Sequence, residues 1–159
     1  MEHKNTCKAV IYQRDFNHVL MLEKRFPDGR FHYTLPGGVT DPGETLIRAL
    51  ERECLEEINC IPEVGRLLYV CEFDKPAGKG KSKNRRLEFG FLCTVPDGYL
   101  PQMGPIPDAY QTAVRWVEVD KLDTLSLIPT GIEKILGQRA DVSAIYLGLC
   151  PYIRSEFIK

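Results

Sequence analysis

Residues 51–57, "ERECLEE", place four glutamates within seven positions, close to the end of an apparent helix. No other stretch constrains the chain as tightly. The apolar spacing predicts a helix over about residues 41–58, with Asp41 as N-cap, Pro42 in the first helical position and Glu44 three residues after the cap. Asn59 tolerates a left-handed backbone and can end the helix, and Pro62 blocks its continuation. At about 100° per residue, Leu46, Ile47, Leu50, Cys54 and Ile58 share an arc of about 120°, with Arg48 and Arg52 roughly opposite. Glu53 and Glu57 project within about 40° of each other at the edge of that arc. Glu56 lies at its margin near Ala49, and only Glu51 leans outward. Each like-charged pair three or four residues apart costs about 0.2–0.5 kcal/mol even when exposed. The negative end of the helix dipole and partial burial add to that cost unless something neutralises the charge. A divalent cation does so directly. Carboxylate oxygens without His or Cys suit Mg²⁺ or Mn²⁺ rather than zinc. A merely acidic, solvated helix is the competing reading.

The 159 residues, 43% hydrophobic and 27% charged, fit one domain over 1–159 with its own core. A net charge of −1 argues against a nucleic-acid partner except through a local patch. The opening "MEHKNTCKAV" lacks a secretory pattern, and no stretch has the length of a membrane span, so a cytoplasmic location without membrane contact is expected. The six cysteines form no CxxC pair and sit mostly in apolar segments. They read as reduced core thiols rather than disulfides or a zinc site.

Strands are expected at 8–13, 18–25, 30–35, 64–73, 85–95 and 113–119, with a further strand at 143–150. A second helix is expected over 128–138, with Pro129 near its start. Strands interleaved with two helices argue for a mixed sheet covered by helices.

The spacing around the acids is specific. Gly38 is followed by five residues, Glu44, seven residues, and then Arg52, Glu53, Cys54, Leu55, Glu56, Glu57, Ile58, Asn59 and Cys60. This resembles the Nudix box, with Asn59 where that family has its last glycine and with Cys54 and Cys60 at aliphatic positions. The resemblance implies an α/β fold, an α/β/α sandwich around a central mixed sheet. It also implies Mg²⁺- or Mn²⁺-dependent hydrolysis of the diphosphate linkage of a small nucleoside diphosphate derivative by metal-activated water. ADP-ribose, a nucleoside triphosphate and a dinucleoside polyphosphate are the expected substrate types. By position, Glu53, Glu56, Glu57 and the carbonyl of Gly37 would hold metal. Arg52 would restrain the acids, and Glu44 would orient the loop.

An extra base or ligand outside the box is sought at Glu88 and Asp108, although a solvated surface acid explains each more simply. Lys24 and Arg25 end a strand within reach of a phosphate, and Tyr33 can stack on a base. With Gly38 they form the expected substrate-binding set, against charged strand ends and core packing as plainer explanations. The basic residues of the 75–86 loop read as a solvated hairpin. A homodimer is compatible with the sequence. Two other functions share this fold: a non-catalytic nucleotide-sensing module, and an isoprenoid diphosphate isomerase, which needs a cysteine opposite a carboxylate.

Overall fold

The computed structural model describes residues 1–157. In chain order its elements are β1 (Glu2–Ile11), β2 (His18–Arg25), β3 (Phe31–Thr34), β4 (Gly37–Val39), α1 (Leu46–Ile58), β5 (Glu63–Lys75), β6 (Asn84–Thr94), β7 (Gln111–Glu118), α2 (Glu133–Leu136) and β8 (Ile145–Leu149). One mixed sheet has the order β4-β1-β6-β5-β8, and a smaller antiparallel sheet has the order β3-β2-β7. β1 runs parallel to β6 and antiparallel to β4, so it lies inside the larger sheet. That placement explains why its residues from Thr6 to Ile11 are buried on both faces.

Alternation along β1 then sorts the side chains between two cores. Cys7, Ala9 and Ile11 pack with Leu20, Leu22 and the α1 residues Ala49, Leu50, Cys54 and Ile58. Val10 joins the opposite core, with Met21, Leu35, Leu68, Tyr69, Ile132 and Leu136. Burying a Leu or Ile of this kind contributes about 1.5–3 kcal/mol. All six cysteines are free, and five are buried, as expected of core thiols.

Four expectations change. Thr45, not Asp41, caps α1, its Oγ1 accepting from the Arg48 N–H at 3.2 Å. Gly43 sits at φ +84°, which a right-handed helix cannot include, so residues 41–44 close a turn instead. In that turn the Glu44 N–H donates to the Asp41 carbonyl, and the Asp41 N–H donates to Glu44 Oε1. Ile47 lies outside the buried stripe and Ala49 inside it. The second helix shrinks to the single turn of α2, because Gly131 at φ +107° keeps the preceding residues out of it. Asn59 ends α1 at φ 55°, ψ 38°, as expected of a left-handed cap.

Candidate functional site

The "PGG" turn is built by contact with β1. Gly37 adopts φ +132°, and a Cβ there would lie 2.0 Å from the Cys7 carbonyl oxygen. A Cβ on Gly38 would lie 2.6–2.8 Å from the carboxyl atoms of Glu53. Both glycines are therefore required by close approach, the first to the sheet and the second to an acid of α1.

Arg52 organises that acid-rich face. Its guanidinium donates to both Glu44 oxygens at 2.8 and 2.9 Å, to Glu53 Oε1 at 2.9 Å, to Glu56 Oε2 at 3.4 Å and to the Val39 carbonyl at 3.1 Å. The bidentate bond to Arg52 holds the Glu44 carboxyl below its ordinary range. Burial pushes Glu53 up, against the pull of Arg52. Glu57 is the most enclosed of the α1 acids, at 1% exposure. Its Oε1 accepts from the Gly37 N–H at 2.7 Å, while Oε2 is buried without a partner. Burial raises its pKa to about 8, against the opposing effects of Lys8 and the Gly37 bond.

Among the described residues, no three acidic, His or Cys side chains stand together as a ready metal cluster. Arg52 draws Glu53 and Glu56 toward itself, and Glu57 turns to Gly37. The donor set nevertheless fits a hard divalent cation. It consists of oxygen alone, and the unpartnered Glu57 Oε2 is the kind of buried acceptor a cation would satisfy.

Beside these acids lies a cavity of about 250 Å³. Glu53, Glu88 and Asp108 enter its wall, as do Lys8, Lys24, Lys75 and Arg86. Glu88 is 0% exposed, which overturns the reading of a solvated surface acid. Alternation along β6 holds, but the face shared by Arg86, Glu88 and Gly90 is the enclosed one. Glu88 Oε2 accepts from the Tyr69 hydroxyl at 2.9 Å, Oε1 has no partner, and burial pushes the carboxyl up. Asp108 pairs with Lys24. Lys24 and Lys8 hold the Asp108 carboxyl below its ordinary range although burial pushes the other way.

Two expected substrate contacts are not in the cavity wall. Arg25 points outward and lies 5.7 Å over the Phe31 ring. Tyr33 packs against the core and donates to Glu23 Oε2 at 3.2 Å. Both follow from strand alternation, which sends Lys24 inward and Arg25 outward. The basic loop also divides. Lys79, Lys81 and Lys83 are exposed, Arg85 pairs with Asp74, and Lys75 and Arg86 turn to the cavity.

Lys8 was absent from the expected site. Its Nζ donates to Thr34 Oγ1 at 3.4 Å and to the carbonyls of Leu35 and Gly37 at 3.2 Å each. Burial lowers its pKa, but Glu88, Glu57, Asp108 and Glu53 more than offset this and raise it. The available signal was a lone lysine inside the apolar run "TCKAVIY".

The raised carboxyl of Glu57 predicts a pH dependence. An acid whose folded pKa lies above its unfolded value binds more protons when folded. Stability therefore falls as pH rises from the ordinary 4.5 toward 8. His32, lowered by burial, acts in the opposite sense below its ordinary 6.5, so the comparison must be with Glu57→Gln. In chelator, the urea midpoint of the wild type is expected to drop between pH 5 and 8 more than that of Glu57→Gln. Parallel pH profiles would refute the shift.

The NUDIX domain family matches residues 3–136. The chain is 36% identical over 125 residues to the Homo sapiens protein "8-oxo-dGDP phosphatase NUDT18", covering 76% of this chain and 35% of that protein. It spans about a fifth to a third of the length of the curated relatives it matches. Among solved structures, a MutT NUDIX hydrolase from Burkholderia pseudomallei is similar with a TM-score of 0.62 and 26% identity, over 88% of this chain and 99% of that one. A NUDIX hydrolase from Nitrosomonas europaea shares the fold with a TM-score of 0.65 and 21% identity, over 94% of this chain and 79% of that one.

Proposed function

Because the chain belongs to the NUDIX domain family, we propose that it hydrolyses the diphosphate linkage of a small nucleoside diphosphate derivative with a divalent cation, Mg²⁺ or Mn²⁺. Glu53, Glu56, Glu57 and the Gly37 carbonyl would hold the cation. The observation that carries this reading is the oxygen-only set at Gly37 and α1, with Glu57 Oε2 unsatisfied, beside a cavity whose wall mixes Lys8, Lys24, Lys75 and Arg86 with Glu53, Glu88 and Asp108. A bound divalent ion supplies charge neutralisation at phosphoryl oxygens and makes water a better nucleophile. The protein's own part is positioning. The Gly37 N–H orients Glu57, Arg52 restrains Glu53 and Glu56, and Lys8 and Lys24 offer positive charge to phosphoryl oxygens. Glu88 faces the cavity outside the proposed cation ligands with a carboxyl raised by burial, so it is suited to accept the proton of the attacking water. Asp108, held low by its lysines, is the weaker base.

The reading extends to one cytoplasmic domain over residues 1–159. No helix among the described residues is long and apolar enough to cross a membrane. A nucleotide sensor without catalysis is disfavoured by the complete set of box acids. The isomerase reading meets a specific obstacle. Cys71 Sγ does lie 3.7 Å from Glu88 Oε2, but Cys71 is fully buried, outside the cavity wall, and burial pushes its thiol well up.

The test is a panel of 8-oxo-dGDP, ADP-ribose, nucleoside triphosphates, dinucleoside polyphosphates and isopentenyl diphosphate. Each is incubated with Mg²⁺, with Mn²⁺ or with chelator, and products are resolved by mass. Cleavage between phosphorus atoms of at least one nucleotide is expected, and chelator should abolish it. Absence of turnover with both metals, or conversion of isopentenyl diphosphate alone, overturns the proposal.

A further inference from the structure

We propose that Arg86 and Lys75 form an anion subsite that takes the terminal phosphoryl group of the substrate at the end of the cavity away from Gly37. The inference rests on the reading of the chain as a nucleoside diphosphate hydrolase and adds a preference for substrates with a free phosphate end.

Arg86 is 7% exposed, and its Nε and Nη1 are buried without any hydrogen-bond partner. A guanidinium cannot shed its charge, so enclosure without a counter-ion is costly unless a ligand supplies one. Burial lowers its pKa, with only Glu2 and Tyr152 acting in the other direction. Arg86 and Lys75 line the 250 Å³ cavity, and both also line an adjoining open depression of about 480 Å³ with Lys81, Asn84 and Glu2. Of the nearby carboxylates, Glu2 pairs with Lys4 at 3.4 Å and Asp108 with Lys24, while Glu88 accepts from Tyr69 and, among the described residues, makes no ion pair with Arg86. Lys75 is an exposed residue, yet desolvation where it lines the cavity lowers its pKa, as do Arg86 and Lys24, with Asp108 acting the other way.

Register places this pair at one end of the site. On β6, Arg86 lies one same-face step, about 6.6 Å, beyond Glu88. Lys8 pairs with Gly37 on one side of β1 and Gly90 on the other, whereas Arg86 pairs with Lys4. A diphosphate lying along β1 and β6 would meet the acids at one end and, at the other, two cations that form no ion pair among the described residues. A terminal phosphoryl group carries about −1.5 to −2 charges near neutrality, more than a bridging one, and matches that pair better.

The experiment measures binding to metal-free protein by calorimetry, using inorganic pyrophosphate, ADP and ADP-ribose. Arg86→Gln and Lys75→Ala are each expected to weaken pyrophosphate and ADP by about tenfold or more. ADP-ribose, whose diphosphate has no free end, should keep its affinity in both variants. Lys79→Ala, exposed and lining neither space, should match the wild type for all three ligands. Arg86→Gln removes an unpartnered buried charge, so its melting temperature without anion should equal or exceed that of the wild type. This separates lost binding from lost fold. If Arg86→Gln does not fold, the exposed Lys75 variant decides the point. The proposal is overturned if wild type binds no pyrophosphate, if both variants retain its affinity, or if ADP and ADP-ribose lose equally. Arg86-dependent pyrophosphate binding in a protein that cleaves nothing would overturn the hydrolase reading and leave the subsite standing.

Discussion

Glu57→Gln is expected to lower kcat/KM by about a hundredfold or more while leaving the fold intact. Gln keeps the shape of the side chain and an oxygen for the Gly37 N–H bond at 2.7 Å, but it removes the charge. Glu53→Gln is expected to act similarly. Its carboxyl is the one that a Cβ on Gly38 would strike, so the turn and the acid are matched in space. The measurement is kcat/KM on a panel substrate against metal concentration, with a urea titration beside it. A lost cation ligand predicts weaker metal dependence as well as lower rate. Two fully active variants would remove Glu53 and Glu57 from the chemistry.

Lys8→Met should cost about 3–5 kcal/mol of stability, because it strips the cation from a buried group of carboxylates. Lys8 is 9% exposed, and its ammonium serves three acceptors in the Thr34–Gly37 turn while facing Glu57, Glu88, Asp108 and Glu53. Methionine fills similar volume without charge, so the cost comes from uncompensated anions rather than from a void. The deficit should shrink as pH falls from 8 toward 5, because burial already raises Glu57, Glu53 and Glu88, and without Lys8 they protonate more readily. Adding Glu88→Gln should restore part of the loss. A wild-type urea midpoint for Lys8→Met at pH 8 would show that this cation is not needed for the fold.

The local features were the ones legible in the chain. The acid spacing of α1, its left-handed end at Asn59 and the run of β2 depend on residues a few positions apart. Misreadings arose where a nearby competitor decided the outcome. Pro42 and Asp41 form a good capping signature, but Gly43 turns left-handed between them and the helix, and Thr45 takes the cap. The three-residue β4 is too short to carry a hydrophobic period, and it exists because Gly37–Val39 meets β1.

The sequence by itself determined the family spacing, the oxygen-only character of the acid cluster and the helix that carries it. Only the tertiary structure decided which charges share the cavity. Lys8, Glu88 and Arg86 come from β1 and β6, far apart in the chain and parallel in the sheet. Their meeting is set by strand pairing, and alternation then decides which face each one takes. That is why Glu88 reads as a surface acid in the sequence and is fully enclosed in the fold, and why Lys24 enters the cavity while Arg25 leaves it.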